Sequence, residues 1–228
     1  DLYDIPGLND FQTRDIYFQW IENNFQKFDI IFHVIDIENP LNTSDQLDIL
    51  KLICRNIKKE KEKNNRDVFL LTIINKCDEM ELDVSGNFIH DEENADNYRQ
   101  IVQHTTEVIL EIIGKDMNPS MFAFTPISAA DTFIYRMLHN DPNVELDMKL
   151  LQKFGVNEVG KRNWNKMNDS ERKKMIADYF KKVNINDTLQ LTGYNELTEI
   201  VNKYLNSSRT QSILINRLKK DINNEKNI

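Results

Sequence analysis

Apolar and β-branched residues crowd into three short runs along the chain. The first, Asp29 to Ile37 (DIIFHVIDI), and the second, Asp67 to Ile74 (DVFLLTII), carry few polar interruptions. That pattern predicts strands buried on both faces, as in a parallel sheet. The third, Met121 to Ser128 (MFAFTPIS), is weaker but of the same kind. Around these runs the period changes to that of a helix. Tyr17, Trp20, Ile21, Phe25 and Phe28 form one apolar stripe, and Leu47, Leu50, Ile53, Cys54 and Ile57 form a second. Val102, Thr106, Ile109, Leu110 and Ile113 form a third, closed by Gly114. The second helix is predicted to start at Thr43, which has capping-box spacing with Gln46. Strands separated by helices of this length predict βαβ units, and so an α/β fold with a mostly parallel sheet flanked by helices.

After Ser128 the strand pattern stops. Residues 131–189 read as a helical insertion, in which Asn168 and Glu171 cap a helix bearing Met175, Ile176, Tyr179, Phe180 and Val183. A further helix, Tyr194 to Leu205, presents Leu197, Ile200, Val201 and Tyr204. The last, Thr210 to Asn223, presents Leu214, Ile215, Leu218 and Ile222. Such stripes read as core contacts rather than as the lining of a cofactor site. The charged run Lys58 to Arg66 reads as a solvated helix end.

With 228 residues, 40% of them hydrophobic, the chain can bury one sizeable core and a helical satellite. A formal net charge of -8 argues against nucleic acid or an anionic membrane as a partner. No apolar run is long enough to span a bilayer. Cys54 and Cys77 are too few for a disulfide framework and fit a reducing compartment, so the expected location is cytoplasmic. The four histidines show no metal-ligand spacing. Asp78 to Asp96 holds eight acidic residues and no Lys or Arg, but not at the spacing of a 12-residue calcium loop.

The informative polar residues stand at the ends of the apolar runs. Asn75-Lys76-Cys77-Asp78 follows the second run, at the carboxyl end of a strand, where open α/β sheets bind ligands. Its chemistry suits guanine. The Asp78 carboxylate can accept two hydrogen bonds, from the ring N1–H and the exocyclic amine, a donor pair that adenine lacks. Lys76 can lay its aliphatic stem along the base, and Asn75 can tie the loop to its neighbours. The wrong base would leave the carboxylate unpaired, so such a site discriminates strongly. Ser128-Ala129-Ala130 closes the third run, and Asp4-Ile5-Pro6-Gly7 stands near the start.

In this order, D-I-P-G, N-K-C-D and S-A-A resemble the later motifs of a P-loop GTPase of the translation-factor-related class. ENPLNTSDQLDILKLI is similar to a stretch of dynamin-like large GTPases, and LTGYNELTEIVNKYL resembles the last helix of their GTPase domains. The resemblance implies that residues 1–205 are the C-terminal two-thirds of such a domain, lacking its N-terminal strand and phosphate loop. Residues 131–189 would be a helical insertion, and 206–228 a helix leading to a neck or stalk. It implies GTP or GDP with Mg²⁺ as the bound species. Asn75, Lys76 and Asp78 would contact the base. Within Ser128, Ala129 and Ala130 a backbone N–H would face the guanine O6, with Ser128 bracing Asp78. Asp4 would hold Mg²⁺ through a water, and Gly7, after Pro6, would offer its N–H to the γ-phosphate and make the next loop a switch. Leu8 stands where Ras-like proteins place a water-orienting Gln, so no catalytic residue is named.

Gly155 to Arg162 (GVNEVGKR) imitates the phosphate-loop pattern, but Arg162 replaces the hydroxyl that binds Mg²⁺ and the preceding MKLLQKF reads as helix. The chain by itself is therefore expected to bind GTP weakly and not to hydrolyse it. Three functions fit these residues. The first is GTP hydrolysis by a dynamin-like protein. The second is a GTP-binding switch or assembly protein, septin-like or translation-factor-related, with slow hydrolysis. The third is a non-catalytic pseudo-GTPase scaffold. A homo-oligomer through the nucleotide face or stalk is compatible with all three, and membrane contact would come only through regions outside this chain.

Overall fold

The computed structural model describes residues 2–5, 14–38, 44–77, 81–82, 88–90, 92–115, 118–141, 144–207 and 215. In chain order the elements are α1 (Arg14–Asn24), β1 (Ile30–Asp36), α2 (Ser44–Asn64) and β2 (Phe69–Asn75). A short pair, β3 (Glu81–Leu82) and β4 (Phe88–His90), precedes α3 (Glu92–Ile113) and β5 (Phe122–Pro126). Helices follow: α4 (Ala129–Asn140), α5 (Met148–Val159), α6 (Lys161–Trp164), α7 (Asp169–Lys182), α8 (Ile185–Leu191) and α9 (Tyr194–Leu205).

The three predicted strands form one parallel sheet in the order β1-β2-β5. β2 is central and buried along its length up to Asn75, as its unbroken apolar run requires. Alternation along β2 divides its side chains between two layers. Leu70 and Ile74 share a core with Leu50, Ile53, Cys54 and Ile57 of α2 and with Ile101, Val108 and Ile109 of α3. Phe69, Leu71 and Ile73 meet Leu197, Ile200, Val201 and Tyr204 of α9 on the other side. Each fully buried side chain of this size contributes about 1.5–3 kcal/mol of transfer free energy. Tyr204 also stacks on Phe69, with ring centroids 4.5 Å apart, and its hydroxyl donates to the Asp29 carbonyl at 3.2 Å.

The structure departs from the sequence expectations in four places. β1 is buried on one face only, because α9 covers β2 and β5 and leaves Phe32 and Val34 exposed. Trp20 is not in the core: it lies partly exposed in an aromatic cluster with Tyr3 and Phe28, while Ile21 and Phe25 are the buried members of its stripe. The run Lys58 to Arg66 is not wholly solvated. Arg66 pairs with Glu60 at 2.8 Å and donates to the carbonyls of Phe28 (2.6 Å) and Phe25 (2.9 Å), which closes the turn after α1 against the end of α2. The pair β3 and β4 falls in the acidic stretch, where no strand was predicted.

The described part of residues 131–189 holds α5 to α8 and most of α4, and builds its own core from Ile134, Tyr135, Leu151, Phe154, Trp164, Ile176 and Leu189. The Asn168–Glu171 capping box is formed in both directions. GVNEVGKR spans the end of α5 and the start of α6, parted by Gly160 at φ = +81°, and Gly155 lies inside α5, where an added Cβ would come within 2.0 Å of the Trp164 ring. That glycine lets the indole pack against α5. Thr43 and most of the predicted helix Thr210 to Asn223 lie outside the described residues. Among the described residues, no helix is long and apolar enough to cross a membrane.

Candidate functional site

The sheet register sets Asp36 beside Asn75 and Ile74 beside Pro126, so the three strands end at one edge. Backbone hydrogen bonds continue past the strands and lace the loops together. Ile37 N–H donates to the Asn75 carbonyl at 3.1 Å, Ile127 N–H to Ile74 at 2.8 Å, and Cys77 N–H to Ile127 at 3.2 Å. Asn75 joins all three strand ends: its carbonyl takes Ile37, and its side-chain Oδ1 accepts the Ala129 N–H at 3.1 Å. The N-K-C and S-A-A stretches, 54 positions apart in sequence, are therefore neighbours through a direct hydrogen bond.

Each loop has its own support. Cys77 is buried, with its Sγ donating to the Ile74 carbonyl at 3.2 Å, so it faces inward. Lys76 takes φ = 65°, a left-handed conformation uncommon for a residue with a side chain. Its ammonium lies 2.6 Å from Asp36 Oδ2 and 3.7 Å from Glu38 Oε2. The hydrogen bond and charge of Asp36, with Glu38 adding to them, raise the Lys76 pKa above that of a free ammonium.

Ser128 is buried and caps α4, its Oγ accepting the Asp131 N–H at 3.3 Å. Its own N–H donates to the Thr192 carbonyl at 2.9 Å, and Thr192 Oγ1 accepts from Thr132 at 3.0 Å. The next residue, Gly193, has φ = +78°, and a Cβ there would lie 2.0 Å from the Pro126 carbonyl oxygen. Asp131 forms an ion pair with Lys153 of α5, linking the helical unit to the same loop. Ala129 and Ala130 are exposed in the first turn of α4, and the Ala130 N–H has no protein acceptor among the described residues. A helix N-terminus with an open N–H favours an oxygen-bearing ligand.

The structure thus brings Asn75, Lys76, Ser128, Ala129 and Ala130 to one edge. Asp4 is exposed in the irregular segment 2–5, and among the described residues no hydrogen bond or ion pair joins it to that group. Pro6, Gly7, Leu8 and Asp78 lie outside the described residues. Sequence reasoning missed Asp36, Glu38, Thr192 and Gly193. An acidic residue ending a buried strand was a usable signal for Asp36, but its pairing with Lys76 depends on β1 lying next to β2.

No protein-family model matches the chain, and no solved structure matches it. Among curated proteins, a stretch of 88 residues, 39% of this chain, is 27% identical to "Uncharacterized protein R618" of Acanthamoeba polyphaga mimivirus. The match spans 13% of that viral protein.

Proposed function

We propose that this edge is the base-reading part of a guanine-nucleotide site, in a protein that binds and hydrolyses GTP in the manner of dynamin-like large GTPases. One observation carries the proposal. Asn75 and Ala129, from two motifs far apart in sequence, are hydrogen-bonded at the carboxyl edge of a parallel sheet. In this reading Asp78 accepts from the guanine N1–H and 2-amine, the Ala130 N–H donates to O6, and the Lys76 stem covers the base. Asn75 holds the two loops at a fixed separation. These residues fit the base end of the nucleotide. For Mg²⁺ the chain offers Asp4, through a water. A bound GTP would add the γ-phosphate that Gly7 contacts. A second reading, a GTP-binding switch with slow hydrolysis, is favoured by Leu8, an apolar side chain that cannot orient a water. Turnover measured on the whole protein separates the two.

The test is Asp78→Asn. Xanthine carries an oxygen where guanine has its 2-amine. The Asn amide can donate to that oxygen, whereas the Asp carboxylate would face another acceptor. The mispairing should cost a few kcal/mol, about two decades in affinity. Competition between GTP and XTP on the whole protein is expected to favour GTP in the wild type and XTP in the variant. A folded Asp78→Asn protein that keeps its preference for GTP would remove the guanine reading.

A further inference from the structure

Asp36 ends β1 directly abreast of Asn75. Its Oδ1 accepts the Glu38 N–H at 3.0 Å, which fixes the turn leaving the strand. Its Oδ2 takes the Lys76 ammonium at 2.6 Å. One carboxylate therefore links the end of β1 to the loop that leaves β2. The Asp36 side chain is 24% exposed and Lys76 55%, so the cation reaches inward to an anion held by the strand end. Glu38, 69% exposed and 3.7 Å away, is a weaker second partner. A lysine stem has four rotatable bonds, and an unpaired ammonium at this edge would sample many rotamers. A carboxylate already fixed by its other oxygen restricts that choice through a charge-assisted hydrogen bond.

We propose that Asp36 is a positioning residue for the nucleotide site and acts through Lys76. It holds the lysine stem in place before the ligand arrives, so that binding costs less side-chain entropy. This inference rests on the guanine-site reading of the same edge. It assigns a role to a residue outside the motifs and makes a commitment about coupling: the contribution of Asp36 to ligand affinity exists only while Lys76 is present.

Asp36→Asn is the informative variant. The amide oxygen can still accept the Glu38 N–H, so the turn survives, while the charge facing Lys76 is lost. GDP affinity is measured by calorimetry on the whole protein for wild type, Asp36→Asn, Lys76→Ala and the double variant, with thermal unfolding followed in parallel. Asp36→Asn is expected to weaken GDP about threefold to tenfold in the wild-type background and to have no effect in Lys76→Ala. Its melting temperature should stay close to wild type, because exposed ion pairs contribute little to stability. Equal losses in both backgrounds, no loss in the wild type, or a melting temperature that falls in step with affinity would each overturn the inference. Asp78→Asn in the same series separates the two claims. If it switches base preference while the Asp36 and Lys76 effects simply add, only the positioning role falls. If it does not switch, the guanine reading falls and takes the positioning role with it.

Discussion

His33 sits in the middle of β1, on the face covered by α2 and α3, with its Nδ1 buried and, among the described residues, without a hydrogen-bond partner. It is in register with Thr72, whose buried hydroxyl also lacks one among the described residues. Burial pushes the His33 pKa from 6.5 down to about 4. The unfolded chain therefore takes up this proton first, and stability is complete above about pH 6.5 and declines as the pH falls towards 4. Each pH unit inside that window costs about 1.4 kcal/mol. Glu196 works in the opposite sense, since burial and the neighbouring Glu199 raise its pKa and favour the fold as its carboxyl protonates. Comparison with His33→Gln isolates the histidine. Between pH 7 and pH 5 the wild type is expected to lose about 2 kcal/mol more unfolding free energy than the variant, read by urea denaturation. Equal losses would show that His33 protonates freely in the folded state. The run DIIFHVIDI marked a strand without marking this residue, because which face a histidine takes depends on the helices that later cover it. Lys76 was legible from the N-K-C-D pattern, but its partner Asp36 was not, since their contact arises only from the pairing of two strands.

At the scale of elements, α9 shows how a helix outside the motifs reaches the site. Its apolar stripe, Leu197, Ile200, Val201 and Tyr204, was readable at helical spacing, and its bounds match the sequence expectation. What the spacing could not supply is how the helix is anchored at its start. Thr192 accepts the Ser128 N–H, and Gly193, at φ = +78°, lies against the Pro126 carbonyl with no room for a Cβ. Gly193→Ala adds backbone strain and a contact with rigid backbone, so a loss of at least about 2 kcal/mol is expected by denaturant unfolding. A loss below 0.5 kcal/mol, about the effect of an ordinary surface substitution, would show that the α9 junction is loose. The short β3–β4 pair was illegible for a different reason. Its strands of two and three residues carry too few side chains to display a period.

At the scale of the whole molecule, two units meet at the candidate site. The sheet, with a core against α1, α2 and α3 on one face and another against α9 on the opposite face, forms one, and the helical unit of residues 131–189 with its own core forms the other. The Asp131–Lys153 ion pair and the Thr132–Thr192 hydrogen bond lie at their junction, beside Ser128. A ligand at the strand ends would thus touch loops held by both units. The most direct measurement of that claim is the amide spectrum of this chain, labelled with ¹⁵N, during titration with GDP and, separately, ADP at millimolar concentration, where weak binding still registers. Binding at this edge predicts that the Asn75, Lys76, Ala129 and Ala130 amides move with GDP and stay in place with ADP. Equal shifts with both nucleotides, or shifts confined to α5 and α7, would contradict it.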